Sequence, residues 1–190
     1  MKGVVKSNRG WIEGAASDNL VTIGHPKLKA PCKRVEDVSL VQDTLASMVA
    51  TLRKLNGAGL AAPQVGLSLN LVVIEVRRTD VFPDRPETPL LKLINPEIVE
   101  RSKEQSVDWE GCFSVPGLMG LVSRANWVKV RYVSDSGEEV LTECSGYLAR
   151  VVQHELDHLS GIEFVDRMDD MSSLTTVKNY LEFHGGPLKN

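Results

Sequence analysis

The chain has 190 residues, of which 42% are hydrophobic and 25% are charged, and this length predicts a single domain. Its 22 basic residues are outnumbered by 25 acidic ones, and the net charge of −3 argues against direct nucleic-acid binding, because such binding needs a basic surplus. No apolar run reaches the ~18 residues of a membrane span, so no membrane partner is expected. The three cysteines are too few for a disulfide framework, which predicts a reducing compartment.

Residues 1–19 are polar and rich in glycine, and we expect a loose N-terminal arm without a visible secretory signal. The first predicted helix begins near Ser39, where Ser39 and Gln42 have the spacing of a capping box. Asn56 and Gly57 are expected to end this helix. Between these limits, apolar residues recur at helical spacing: Val41, Leu45, Met48, Val49, Leu52 and Leu55.

The middle of the chain is predicted to be rich in strands. The glycine-rich residues 57–66 should form a loop, and residues 71–76 a buried strand. A surface loop with three prolines is expected at 77–89. Ser136 and Gly137 predict a hairpin between the last two of the later strands. Those later strands are predicted at 91–94, 97–100, 119–123, 127–134 and 138–143.

The last part of the chain holds a second predicted helix, 146–159, which should end at Gly161, and a short helix at 173–182. Helices at the two ends with strands between them predict an α+β fold rather than alternating β-α-β units. We therefore expect one domain over residues 20–182, with a helix near its N-terminus. Residues 183–190 are expected to form a tail.

Residues 154–158 have the pattern H-E-x-x-H, which indicates a metal site. Residues four positions apart share one face of a helix, so His154 and His158 can both reach one metal ion. Glu155 lies roughly 100° around the helix, close to a water bound to that ion. The alternative is a polar helix face with two unrelated histidines.

A hydrolytic metal ion usually needs three protein ligands and one open position, so the third ligand decides the class of site. Phe164 occupies the third histidine position of the extended pattern, which excludes that version. Glu182 and Cys112 are the remaining candidates, and both stay open on these grounds. Cys112 follows Gly111, which lets the backbone approach closely, and its thiolate would be a strong ligand. A free cysteine is nevertheless more often a small buried apolar residue.

The other cysteines and histidines have no partners at ligand spacing. We expect Cys32 and Cys144 to be buried apolar residues. His25 and His184 are expected in loops or on the surface. Asp157, between the two histidines of the pattern, should bond to neighbouring side chains rather than to the metal.

Three segments together resemble the motifs of the peptide deformylase family, in the family's order. They are GAGLAAPQ at 57–64, EGCFS at 110–114 and QHELDH at 153–158. The resemblance extends from about residue 20 to residue 168. Residues before the third segment resemble the deformylases of eukaryotic organelles more than the commonest bacterial form: Ser145, Gly146, Tyr147, Ala149 and Arg150.

The resemblance implies a hydrolase that removes the formyl group from the N-formylmethionine of newly synthesised proteins and releases formate. It implies one divalent metal ion held by Cys112, His154 and His158. Fe²⁺ is the usual metal of the family, and Zn²⁺, Ni²⁺ or Co²⁺ can substitute for it. The implied fold has antiparallel sheets packed around a central helix that carries the H-E-x-x-H pattern.

The implied mechanism assigns roles to further side chains. A metal-bound water attacks the formyl carbonyl, and Glu155 shuttles the proton to the leaving amine. The side-chain amide of Gln64 and the backbone N–H of Phe113 bind the developing oxyanion. An ion pair between Glu110 and Arg124 would brace the site.

The resemblance also implies where the substrate binds. The glycine-rich first segment aligns an extended peptide through its backbone. An apolar pocket for methionine lies on the metal face of the second helix, although ordinary core packing would explain the same residues. The substrate-binding residues are then Gly57, Ala58, Gly59, Gly111, Tyr147 and Val151.

The expected partners are N-formylmethionyl nascent chains near the ribosome, and the protein would be a monomer or a homodimer. The expected compartment is intracellular, either a bacterial-type cytoplasm or a eukaryotic mitochondrion or plastid. Two other functions stay open: an endopeptidase with Glu182 as third ligand, and a non-catalytic protein with a closed structural metal site.

Overall fold

The computed structural model describes residues 20–78 and 85–184. The predicted N-terminal arm, residues 1–19, lies outside these residues, as do residues 79–84 of the predicted surface loop and residues 185–190 of the predicted tail. Within the described part, no helix is long and apolar enough to cross a membrane.

Two long helices, α1 (Gln42–Lys54) and α2 (Gly146–Leu159), follow the predicted spans. The predicted apolar stripe of the first helix is buried at all positions but the last, Leu55. The predicted capping box is wrong, because a 3-10 turn at Val38–Val41 precedes α1 and the capping residue is Asp37, before Ser39 in the chain. The Asp37 carboxylate caps that turn by accepting the backbone N–H of Ser39 at 2.8 Å.

Eight strands within the described residues form two sheets, in which neighbouring strands are antiparallel. The strands are β1 (Gly59–Ala61), β2 (Leu71–Ile74), β3 (Leu91–Arg101), β4 (Gln105–Cys112), β5 (Val115–Ala125), β6 (Trp127–Val133), β7 (Glu139–Ser145) and β8 (Thr175–Thr176). The larger sheet has the order β1-β2-β3-β6-β7, and the smaller one the order β4-β5-β8. This mixture of helices and antiparallel sheets agrees with the predicted α+β class.

Strand β2 shows how both helices use one sheet. Leu71 and Val73 belong to the apolar cluster that includes α1, whereas Val72 and Ile74 belong to the cluster that includes α2. Side chains alternate between the two faces of a strand, so β2 is buried on both faces. Two-sided burial explains the uninterrupted apolar run that predicted this strand.

Two predicted strands are wrong in extent, because 91–94 and 97–100 are parts of one strand, β3. The register with β6 shifts between Ile94 and Glu97, which flank Pro96, and again between Ile98 and Glu100. Pro96 has no N–H to donate, and Asn95 has a left-handed φ of 53°, so the ladder is disturbed but the strand continues.

Strands β1, β4 and β8 were not predicted from the sequence. Strand β1 lies inside the predicted loop, and the first four residues of β4 are exposed, with only Val107 and Trp109 alternating with polar residues in this strand. The predicted helix at 173–182 is wrong over its first residues, which include β8. A short helix, α3 (Val177–Asn179), follows, and it continues as a wider turn over Tyr180–His184.

Positive φ angles mark the predicted chain reversals. Gly137, with a φ of 89°, lies in the predicted hairpin between β6 and β7, which is confirmed. Gly161, with a φ of 74°, follows the end of α2 as predicted. At the end of α1 it is Asn56, not Gly57, that takes the left-handed conformation, with a φ of 57°.

Candidate metal centre

Helix α2 and the end of β4 bring three side chains with metal-binding atoms together. The rings of His154 and His158 meet edge to face, with their centroids 5.1 Å apart. Sγ of Cys112, the last residue of β4, lies 3.3 Å from Nε2 of His158. One potential ligand atom from each of the three residues lies within 4.8 Å of the others.

This cluster differs from the alternative in which Glu182 completes the site. Glu182 is exposed and does not belong to the cluster. Over residues 20–78 and 85–184, no other group of three histidine, cysteine or acidic side chains is close enough to share an ion.

Two N–H groups approach the sulfur of Cys112. The Gln64 side chain donates from Nε2 at 3.4 Å, and the backbone N–H of Ser114 donates at 3.4 Å. Gln64 is almost fully buried, and its Oε1 accepts the backbone N–H of Ala61 at 2.8 Å, which fixes the direction of the amide. The two donors therefore fix the position of the sulfur from two sides.

Glu110 orients the first histidine. Its Oε2 lies 2.8 Å from Nδ1 of His154, while Arg124 contacts both carboxylate oxygens through Nε at 2.9 Å and Nη2 at 3.0 Å. The predicted pair of Glu110 and Arg124 is therefore present. Burial by itself would raise the pKa of Glu110, but the hydrogen bonds from His154 and Arg124 outweigh burial and hold that pKa well below its usual range.

The two imidazoles differ in how strongly they hold a proton. Burial lowers the pKa of each ring. In His154 the hydrogen bonds to Cys112 and Glu110 outweigh burial and raise the pKa. In His158 the nearby positive charges of His154 and Arg124 add to burial, and the pKa lies well below its usual value.

Glu155 lies between the two histidines in sequence and is 4% exposed. Its Oε2 has no hydrogen-bond partner in the part of the chain that the structure describes. Burial disfavours the charged form and raises the pKa of Glu155 to about 7. A carboxyl group with such a pKa can both accept and donate a proton near neutral pH.

Two glycines of the first segment make room for site residues. A Cβ on Gly59 would lie 2.5 Å from Oε1 of Glu155, and a Cβ on Gly57 would lie 2.6 Å from the ring of Phe113. Neither distance is tolerated between real atoms. These glycines therefore allow the close approach of Glu155 and Phe113 to the loop and β1.

The other predicted substrate-binding residues pack into the body of the protein. Val151 is buried in the apolar cluster of α2, and Ala58 and Tyr147 pack against it. The guanidinium carbon of Arg85 lies 5.1 Å from the centre of the Tyr147 ring. Gly111 leaves space for the side chain of Met119. Core packing thus accounts for these contacts, and a role with substrate stays a prediction.

One buried residue near the cluster was not identified as functional from the sequence. Arg150, noted only as a subtype feature, donates to Oε1 of Glu110 at 2.9 Å. Its position four residues before His154 on the same helix was a usable signal.

Asp157 contacts Arg124 at 2.5 Å and Arg167 at 2.7 Å, and it is not part of the metal-binding cluster.

The side chains of Arg124, Asp157 and Arg167 also border a cavity that is separate from the metal-binding cluster. A cavity of about 550 Å³ is lined by Arg124, Asp157 and Arg167 together with residues of β3. It contains none of the predicted catalytic, substrate-binding or metal-binding residues.

The remaining cysteines and histidines lie outside the cluster. Cys144 is buried as predicted, whereas Cys32 is only partly buried, which corrects that prediction. His25 and His184 are exposed as predicted. The His184 ring stacks near Trp109, with the centroids 4.9 Å apart.

The family model for polypeptide deformylase matches residues 17–173 of the chain. The chain is 39% identical over 154 residues to peptide deformylase 1 of Nitrosomonas europaea, covering 80% of this chain and 88% of that protein. It is 42% identical over 153 residues to the peptide deformylase of Carboxydothermus hydrogenoformans, covering 80% and 93%.

Solved structures of related proteins have the same overall fold. The Met-Ala-Ser-bound class I type b peptide deformylase of Acinetobacter baumannii is 41% identical, with a TM-score of 0.74 over 78% of this chain and 96% of that one. The peptide deformylase of Synechococcus elongatus in complex with actinonin is 37% identical, with a TM-score of 0.73 over 81% of this chain and 80% of that one.

Proposed function

The chain belongs to the polypeptide deformylase family, and on this premise we propose that it removes the formyl group from the N-formylmethionine of newly synthesised proteins, releasing formate. The proposal depends most on one observation: the potential ligand atoms of Cys112, His154 and His158 lie within 4.8 Å of one another. Gln64, from the first of the three family-like segments, contacts the sulfur supplied by the second. A relative of known structure binds Met-Ala-Ser, which supports a peptide substrate that begins with methionine.

The residues of the cluster fit a divalent cation. One sulfur and two imidazole nitrogens form a donor set that suits Zn²⁺ or Fe²⁺, and three protein ligands leave a position open for chemistry. The contact of Glu110 with Nδ1 of His154 leaves Nε2 of that ring for the ion. We propose Fe²⁺ as the metal, with Zn²⁺, Ni²⁺ and Co²⁺ as alternatives.

The bound cation would supply Lewis acidity, which lowers the pKa of a water nucleophile to ~7. Glu155 takes the proton from that water and later delivers it to the leaving amine. The unpartnered Oε2 and the burial of Glu155 support this role, since a carboxylate already paired with an arginine would be a weak base.

Attack on the formyl carbon places negative charge on the formyl oxygen. We propose that the Gln64 amide and the backbone N–H of Phe113 donate hydrogen bonds to it, and such donors can each be worth ~3 kcal/mol in the transition state. The fixed direction of the Gln64 amide beside Cys112 supports this assignment.

The substrate peptide would lie along the first segment and enter an apolar pocket with its methionine. We propose backbone contacts from residues 57–59 and from Gly111, and a pocket wall that includes Val151 and Tyr147. The position of Val151 one turn before His154 on α2 supports the pocket assignment.

We further propose that residues 20–182 form a single catalytic domain organised around α2, with a tail at 183–190. Its partners would be N-formylmethionyl nascent chains near the ribosome. The protein would act as a monomer or homodimer in a bacterial-type cytoplasm or in a mitochondrion or plastid.

The two other functions are less well supported. An endopeptidase that uses Glu182 would need this exposed side chain to reach the histidines. A closed structural metal site would need neither the buried Glu155 nor the Gln64 amide beside the sulfur.

The direct test is formate release from formyl-Met-Ala-Ser by protein purified without oxygen, together with metal analysis of the same sample. We expect about one metal ion per chain and turnover that follows metal content. Absence of formate from protein that carries its full metal complement would contradict the proposed activity.

A further inference from the structure

Arg150 is a buried arginine whose hydrogen bonds all reach one hairpin. Its side chain is 6% exposed, and it lies on α2 four residues before His154. Nη1 donates to Oε1 of Glu110 at 2.9 Å and to the carbonyl of Val122 at 2.9 Å. Nη2 donates to the carbonyl of Ser106 at 2.7 Å. Glu110 and Ser106 lie on β4, and Val122 lies on β5.

These contacts join the two elements that supply the proposed metal ligands. Helix α2 carries both histidines, and β4 ends in Cys112. We infer that Arg150 is a positioning residue for the metal centre, which acts by holding Glu110 in place and thereby keeps the ring of His154 oriented towards the strand of Cys112. This inference rests on the proposed function, because it concerns the metal of the same site.

Arg124 also binds Glu110, but it anchors the helix at a different point. Arg124 belongs to β5 and reaches α2 through Asp157, which follows His154 in the chain. Arg150 holds α2 on the other side of His154. The two arginines thus restrain the helix before and after the first ligand: Arg150 acts on the turn before His154, and Arg124 acts through Asp157 after it.

The carboxylate of Glu110 shows why the second arginine matters for orientation. Oε1 accepts one N–H from Arg124 and one from Arg150. With Oε1 occupied in this way, Oε2 is directed to the ring of His154. Without Arg150, Oε1 would keep one arginine donor instead of two, and Glu110 would be held less firmly as the partner of His154.

The test is a titration of metal-free protein with Co²⁺, which reports affinity and ligand field without any turnover. For Arg150→Met we expect the Kd for Co²⁺ to rise ~10-fold or more, in the range found for residues that orient metal ligands. We also expect weaker thiolate-to-cobalt absorption. Arg150→Lys keeps the charge but cannot reach all three acceptors, and we expect a smaller rise in Kd.

A double-substitution cycle with Glu110→Gln separates positioning from general stability. If Arg150 acts through Glu110, adding Arg150→Met to Glu110→Gln should change the Kd for Co²⁺ by less than about threefold. The control Lys129→Met breaks an ion pair with Glu100 on the larger sheet and should leave the Kd and the cobalt spectrum unchanged.

Each outcome decides the inference. An unchanged Kd and spectrum in Arg150→Met would overturn it, as would an equal loss of affinity in the presence and absence of Glu110→Gln. If Arg150→Met does not fold, Arg150→Lys carries the same comparison. Failure of the unsubstituted protein to bind Co²⁺ at the cluster would instead contradict the proposed metal centre itself.

Discussion

Helices α1 and α2 pack on opposite faces of the same strand, β2, yet they bury different kinds of side chain. The buried side chains of α1 are Leu45, Met48, Val49 and Leu52, which are all apolar. The buried polar side chains of α2 are Arg150, Gln153, Glu155, Asp157 and His158. Burying ionisable groups costs free energy unless each is paired, so α2 contributes less to stability than a helix of its size could. The comparison separates a helix that buries only apolar side chains from one that also buries ionisable ones.

The pairing within α2 sharpens this contrast. Arg150, Gln153 and Asp157 have polar atoms bonded to the hairpin, to the carbonyl of Ala149 in the helix or to Arg167. Oε2 of Glu155 and Nδ1 of His158, by contrast, have no hydrogen-bond partner within the described residues. Unsatisfied buried groups are expected where function, rather than folding, selects the residue.

The largest effect is expected from removal of the proposed sulfur ligand. Cys112→Ala should lower the metal content from about one ion per chain to almost none and abolish formate release, because two histidines bind an ion weakly. The matched control is Cys144→Ala, a buried cysteine outside the cluster, which should retain its metal. Full metal content in Cys112→Ala would revive Glu182 as third ligand, and Glu182→Gln would then lose the metal.

The second largest effect is expected on kcat when Glu155, the proposed base on α2, is replaced. Glu155→Gln should lower kcat by about 10²–10⁴-fold, because the amide cannot accept a proton, while the metal stays bound. The thermal midpoint should not fall, since a neutral amide is cheaper to bury than a carboxylate. Kinetics combined with metal analysis and thermal unfolding provide the check, and a kcat within tenfold of the original would exclude Glu155 as the proton shuttle.

A smaller effect is expected from a substitution on β1 that touches α2. In Gly59→Ala the added methyl would meet Oε1 of Glu155 at 2.5 Å, so the carboxylate must move. Misplacement on the scale of 1 Å can cost ~10²-fold in rate, and we expect kcat to fall by about that factor. Combining it with Glu155→Gln gives the control, because the alanine should then add little. Additive losses would contradict action through Glu155.

The smallest effect on turnover is expected from the apolar helix. Leu45→Ala in α1 should lower the free energy of unfolding by about 2–5 kcal/mol, while kcat/KM per folded molecule stays unchanged. Leu40→Ala, at a side chain that is 79% exposed, should change stability by less than about 0.5 kcal/mol. Urea unfolding and activity measured on the same samples test both. A large loss of kcat in Leu45→Ala would weaken the division of roles between the helices.

Local sequence patterns were sufficient to predict the elements in which apolar side chains recur at a regular spacing. The 3.6-residue spacing of apolar side chains predicted α1, and the two-sided burial of β2 produced an apolar run that predicted this strand. The same spacing put His154 and His158 on one face. Strand β4 was not found in this way, because its first four residues are exposed to solvent and only Val107 among them is apolar.

Only the tertiary structure decided which groups meet around the two histidines. Cys112 and Glu182 were equally open on spacing, since neither is close to the histidines in sequence, and the antiparallel pairing of β4 with β5 brings Cys112 to α2. The contact of Arg150 with Glu110 likewise depends on how the hairpin packs against the helix. Periodicity fixes which face of an element a side chain occupies, whereas contacts between distant segments depend on the packing of whole elements, which no short window of sequence contains.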